Sequence, residues 1–230
     1  MKYAIGIWLA LAALLQAGTL EFKEMSKEVN APADAASVTA EFEFTNKTDK
    51  PVTIKKCDPG CSCVSVQISD GKLRYEPGQS GVIRAKFDMT NFSGSVDKAI
   101  AMFLDDDPED RPSQVLKLKV NIPVLVSLEP KTLKWEIGAK AVPQTIQIKM
   151  MEGQTIHVTD AKSSSEAFTC ELKTVEEGKR YDLVVTPTNL DAPGIGVFRI
   201  ETDCDISKYR IQQAFAVVRK LSPAEMVAKP

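Results

Sequence analysis

The sequence contains one histidine, His157. That scarcity excludes sites that need two or more imidazoles, such as HExxH zinc hydrolases and three-histidine metal centres. There is no Gly-x-Ser-x-Gly nucleophile elbow, no Gly-rich phosphate loop and no dinucleotide fingerprint. Charge excess is also missing: 29 Lys and Arg face 31 Asp and Glu, a net charge of −2. Nucleic-acid binders carry a basic excess, so a polyanionic partner is not expected. No Gly/Ser-rich or Pro-rich linker interrupts the chain. Beyond residue 15 no apolar run approaches the ~20 residues of a membrane span. What is present is an ordinary globular composition, 43% hydrophobic and 26% charged, which argues against disorder.

The first residues read as an export signal. Lys2 supplies a positive start, Tyr3 to Leu15 an apolar run, and Gln16-Ala17-Gly18 a small-residue stretch suited to cleavage. The run is ~13 residues, too short for a bilayer anchor. No cysteine follows it, so a lipoprotein attachment signal is missing. The expectation is a signal peptide over residues 1–17, no transmembrane anchor after its cleavage, and a soluble exported protein, periplasmic or extracellular.

The remainder has strand-like periodicity. Val38 to Phe44, Val52 to Ile54, Val64 to Ile68, Leu116 to Val120, Thr145 to Ile148, Thr155 to Val158 and Tyr181 to Val185 alternate in polarity. Turn residues separate the runs, among them Asn46 to Pro51, Asp70-Gly71, Pro77-Gly78, Ser93-Gly94, Asp105 to Pro112 and Pro193-Gly194. No helical stripe is visible after the signal. A weak internal repeat links Val82 to Phe87, Ala99 to Phe103 and Gln114 to Pro123 with Tyr181 to Val185, Val197 to Ile200 and Arg210 to Lys220. The expected fold is all-β: two tandem immunoglobulin-like β-sandwiches of ~100 residues each. They are placed at residues 19–123 and 124–220, with a flexible tail at 221–230.

A family resemblance rests on six features in order: Phe42-Glu-Phe-Thr-Asn46, Pro51-Val-Thr-Ile54, Cys61-Ser-Cys63, Glu76-Pro-Gly-Gln79, Gly81 to Asp88, and Gly94 with Lys98. Residues 19 to 123 resemble the bacterial exported domain-of-unknown-function family numbered 1573, which is related to the hydin-like and major-sperm-protein-like immunoglobulin folds. The family pair reads Cys-Gly-Cys-Thr where this chain has Cys-Ser-Cys-Val, and Cys57 is additional. The resemblance implies fold and export, and no reaction. The same residues have plain folding roles: Asn46 can bond its own turn, Pro51 opens a strand, and Phe42, Phe44, Ile54, Val82, Phe87, Ile100, Phe103 and Leu118 are expected in the core.

The cysteines are the unusual feature. In an oxidising compartment Cys57, Cys61 and Cys63 can form a disulfide with one thiol to spare. On one strand Cys61 and Cys63 would lie about 6.5–7 Å apart, too far for a bond needing Cβ atoms at ~3.5–4.5 Å. Asp58-Pro59-Gly60 would instead fold Cys57 back onto either one. The alternative is a soft-metal or redox site on the three thiolates, although a closed zinc site wants a fourth ligand. Cys170 and Cys204 are a second candidate pair; closing a loop of ~34 residues would contribute about 3–4 kcal/mol.

Other candidates are weaker. The acidic run Asp105 to Asp110 lacks the Gly and distal Glu of a calcium loop. Ser163-Ser164-Ser165 has only His157 as a base. Asn46-Lys47-Thr48 and Asn91-Phe92-Ser93 match the glycosylation sequon. Three functions stay in view: a non-catalytic exported sandwich that binds a protein or envelope component; a thiol- or metal-handling periplasmic protein using Cys57, Cys61 and Cys63; and a carboxylate-based hydrolase, which needs only two acids. The first is preferred, with no catalytic residues, no enzyme activity and no cofactor expected.

Overall fold

The structure, a computed structural model, describes residues 20–220. The signal peptide expected at residues 1–17 and the tail at 221–230 lie outside the described residues. The chain divides into two units. The first takes in 20–29, 37–89 and 96–120; the second takes in 30–36, 90–95 and 121–220.

The first half of the chain forms β1 (Glu21–Phe22), β2 (Ser26–Asn30), β3 (Ser37–Thr45), β4 (Val52–Asp58), β5 (Val64–Ile68), β6 (Arg74–Tyr75), β7 (Ser80–Asp88), β8 (Gly94–Leu104) and β9 (Gln114–Ile122). One sheet has the order β1-β3-β7-β5, the other β2-β9-β8-β4-β6. The second half forms β10 (Val126–Glu129), β11 (Thr132–Glu136), β12 (Gln144–Met150), β13 (Val158–Ser163), β14 (Phe168–Glu176), β15 (Arg180–Pro187), β16 (Gly194–Thr202), the four-residue helix α1 (Ser207–Arg210) and β17 (Ile211–Arg219). Its sheets run β10-β12-β15-β14 and β11-β17-β16-β13. No helix among the described residues is long and apolar enough to cross a membrane.

The two orders are the same order. Replacing β1, β3, β7, β5 by β10, β12, β15, β14, and β2, β9, β8, β4 by β11, β17, β16, β13, converts one unit into the other. Only β6 is additional. The weak sequence repeat therefore reflects a repeated topology, and each element of one unit can be compared with its counterpart in the other.

Period-two alternation builds both cores. In β3, Ala40, Phe42 and Phe44 are buried while Glu41 and Glu43 face outward; in β7, Ile83, Ala85 and Phe87 do the same. Ile54, Ile100, Met102, Leu104, Leu116, Leu118 and Val120 supply the other sheet of the first unit. Two expected core residues are corrected by that parity. Val82 and Phe103 are only half-buried, because their neighbours Ile83 and Met102 occupy the inward positions. Phe103 instead carries the Lys56 ammonium 5.6 Å from its ring centroid. In the second unit Trp135, Ile146, Ile148, Phe168, Tyr181, Leu183, Val185, Phe198 and Ile200 form the corresponding core.

One glycine is required by packing. Gly81 is buried, and a Cβ there would lie 2.6 Å from Phe44 Cζ and 2.7 Å from the Tyr75 ring. Its missing side chain lets Phe44 and Tyr75 meet edge-on at 4.8 Å between centroids.

Candidate functional site

The connection from β4 to β5 carries the cysteine cluster. Asp58 ends β4 and its Oδ1 accepts a hydrogen bond from the Gly60 amide at 2.9 Å. Gly60 has φ 66°, a left-handed geometry that glycine adopts without penalty. The Lys56 ammonium and the Gly60 amide hold the Asp58 carboxyl below its usual range. The chain reverses, and Cys61 bonds to Cys63 with their Cα atoms 5.3 Å apart. This corrects the expectation that these two could not bond. That argument placed both on one strand, but β4 stops at Asp58 and β5 begins only at Val64, so the pair sits in the turn. The Asp88 amide donates to the Cys63 carbonyl at 2.8 Å and fixes the far side of the turn on β7.

Cys57 remains a free thiol. It lies in β4 opposite the buried Met102, half-buried, and burial pushes its thiol up to about 11. With Cys61 and Cys63 joined, the trio offers one protonated thiol rather than three thiolates, so the structure does not assemble the soft-metal site. Among the described residues no group of three or more His, Cys, Asp and Glu is placed to hold a metal ion.

The Cys170–Cys204 pair does not form either; both are free. The reason is register. The Cys170 thiol donates to the Ala161 carbonyl at 3.7 Å, and Ala161 pairs with Ile200. Cys204 is four residues beyond Ile200, about 13 Å along an extended chain, well past the ~7 Å Cα limit for a bridge.

His157 precedes β13, with Nδ1 2.7 Å from Asp203 Oδ2 and Nε2 3.8 Å from Glu177 Oε1. The bond to Asp203, aided by the negative charges of Asp203 and Glu177, raises its pKa. Ser163 and Ser165 are at the opposite end of β13 and bond their own turn, Ser163 Oγ donating to the Ser165 carbonyl at 2.8 Å. In the acidic loop, Asp105 Oδ2 accepts from the Thr53 amide at 3.0 Å, and Asp107 Oδ2 from the Leu104 and Ser113 amides at 2.8 and 2.9 Å. These carboxylates are turn-builders. Asn46 is fully buried, which closes that sequon to modification.

The sheet edges, which sequence reading did not distinguish, separate clearly. The terminal strands are β1, β5, β2, β6, β10, β14, β11 and β13. Each except β5 contains at least one charged residue: Glu21, Lys27 and Glu28, Arg74, Glu129, Glu171 with Lys173 and Glu176, Lys134 and Glu136, Asp160 and Lys162. Strands β13 and β14 also carry register irregularities. Strand β5 reads Val64-Ser-Val-Gln-Ile68, pairs with β7 without a break, and exposes Ser65 and Gln67. Charges and bulges are the usual protection of an edge against further pairing, and β5 has neither.

Residues 20–122 match the family described as "Protein of unknown function (DUF1573)". No curated protein matches the chain. Among solved structures, a protein of unknown function from Porphyromonas gingivalis W83 is 10% identical, with 89% of this chain and 100% of that one covered, at a TM-score of 0.35. The YadV chaperone is 10% identical over 85% of this chain and 98% of its own, at 0.32. The MSP-domain protein SSP-19 of Caenorhabditis elegans is 12% identical over 46% of this chain and 100% of its own, also at 0.32.

Proposed function

We propose that this chain, whose residues 20–122 form a DUF1573 domain, is a non-catalytic exported protein that binds an extended segment of another protein in the cell envelope by adding it as a strand to β5. Export rests on Lys2 and the apolar run Tyr3 to Leu15. The observation that carries the binding reading is the uncharged, regular edge of β5 beside seven charged ones. An added strand pairs main chain to main chain, so affinity comes from the backbone and selectivity from alternate side chains. The exposed Ser65 and Gln67 would meet hydroxyl or amide side chains, and the half-buried Val66 and Ile68 apolar ones. The counterpart strand β14 serves as an internal comparison, because the same position in the topology there carries three charges.

The test is a photo-cross-linking amino acid placed at position 65 in one protein and at position 173, on β14, in another. Position 65 should capture a discrete partner segment from envelope fractions, and Gln67→Lys should abolish that capture by putting a charge on the edge. A protein that stays monomeric and cross-links no more at position 65 than at 173 refutes the reading.

A further inference from the structure

We infer that the Cys61–Cys63 disulfide is an exchangeable redox couple that accepts electrons from an external dithiol. This goes beyond the edge-binding reading and does not depend on it. Three observations carry it.

The first is ring size. The bond spans a sequence separation of two. A disulfide stabilises a fold mainly by restricting the unfolded chain, and the restriction grows with the loop it closes. A loop this short restricts the unfolded chain less than half as much as the ~34-residue loop considered for Cys170 and Cys204, so the bond is a poor staple.

The second is the counterpart turn. Between β13 and β14 the other unit makes the equivalent connection with serines: Ser163 Oγ donates to the Ser165 carbonyl, the Ser165 amide to Ser163 Oγ at 3.2 Å, and the Ala167 amide to Ser165 Oγ at 3.3 Å. The topology needs a turn there and does not need a disulfide.

The third is placement. Cys61 and Cys63 are both part-exposed around the exposed Ser62. The turn is anchored on each side, by Asp58 to Gly60 and by Asp88 to Cys63, so opening the bond leaves its ends in place. Cys57 is the one competitor nearby in sequence. Exchange needs a thiolate, and burial keeps Cys57 protonated far above neutral pH. The cluster therefore acts as a two-cysteine couple with a silent third thiol.

The chemistry balances. A thiolate of the external dithiol attacks one sulfur of the Cys61–Cys63 bond; that bond breaks and the other cysteine leaves as a thiolate. The second thiolate of the external pair then attacks the mixed disulfide and releases the first cysteine. The external dithiol is oxidised to a disulfide, Cys61 and Cys63 are reduced, and the two protons shed by the external thiols end on them.

The test uses the full native protein in buffers of reduced and oxidised glutathione, quenched with acid, alkylated and weighed. The expected result is opening at a rate within about tenfold of that of a free Cys-Ser-Cys peptide, with the cooperative unfolding transition of the first unit retained. Cys61→Ser and Cys63→Ser should each form a mixed disulfide with glutathione while folded; serine suits this turn, as the other unit shows. Cys57→Ser should leave the opening equilibrium within about twofold. Three results overturn the inference: a bond that stays closed until urea unfolds the unit, reduction that abolishes the first unit's transition, or a Cys57→Ser shift of about tenfold or more, which would mean that all three thiols exchange.

Discussion

Asn46 offers the sharpest quantitative test of how the first unit is held together. Its amide group is fully buried and every polar site on it is used. Nδ2 donates to the Lys50 carbonyl at 2.7 Å and to the Tyr75 carbonyl at 2.8 Å. Oδ1 accepts from the Thr48 amide at 3.0 Å and lies 2.7 Å from the Thr48 hydroxyl. Its backbone accepts from Gly78 at 2.7 Å and donates to Gln79 at 2.8 Å. One residue thus ties the end of β3 to the turn before β4 and to β6. In Asn46→Ala the Thr48 and Lys50 groups can turn to water, while the Tyr75 carbonyl keeps its strand pairing with Val52 and loses its second, buried bond. A net bond is worth about 0.5–1.5 kcal/mol, so losing the buried bond to Tyr75 together with those that organise the turn is expected to cost about 1–3 kcal/mol. For a unit of this size that lowers the midpoint by about 5–25 °C.

Asn46→Asp is the more discriminating variant. A carboxylate would face the Lys50 and Tyr75 carbonyl oxygens, costing about 3–5 kcal/mol at neutral pH. The buried acid then has a folded pKa above its unfolded value near ~3.9. Stability of this variant is therefore highest below the unfolded pKa, where the protonated acid can donate one bond, and falls as pH rises towards the folded pKa. Scanning calorimetry resolves the first unit, while Trp135 fluorescence reports the second, in which it is buried. An Asn46→Ala loss under about 0.5 kcal/mol, or an Asn46→Asp protein no less stable at neutral pH than in acid, would refute the reasoning.

Two further outcomes follow from the geometry. Gly81→Ala should cost the first unit about 1–3 kcal/mol through overpacking against Phe44 and Tyr75. Gly60→Ala, where open space surrounds the glycine, should cost only the backbone term of about 1 kcal/mol; equal losses in calorimetry would contradict the packing argument. For His157 the folded pKa is raised by Asp203. Its contribution is complete below the unfolded value and is lost as pH rises through the folded one. The midpoint difference between wild type and Asp203→Asn should therefore be larger at about pH 6 than at about pH 9, and a difference independent of pH in thermal melts would contradict it.

Much of this fold was legible in the chain because a strand's side chains alternate at a fixed period. Alternation over Val38 to Phe44 or Tyr181 to Val185 is enough to read a half-buried strand and a sandwich. It also placed Phe42, Phe44, Ile54, Phe87, Ile100 and Leu118 in the core, where they are. Val82 and Phe103 went wrong because hydrophobicity alone does not set parity; their neighbours Ile83 and Met102 are equally apolar, and pairing with β3 and β4 chose between them. The site was legible as a cysteine cluster and no further. Whether Cys61 reaches Cys63 depends on where β4 ends, and the fate of Cys170 and Cys204 on the register of β13 against β16.

The sequence by itself determined the class of fold, the presence of many of its strands and the exclusion of multi-histidine chemistry, because composition and period are local properties. Only the tertiary structure decided which strands are edges, that the two halves share one sheet order, that Asn46 bridges to Tyr75 and that Cys61 pairs with Cys63. Those are long-range or turn geometries, set by which strand lies beside which, and no local period encodes them.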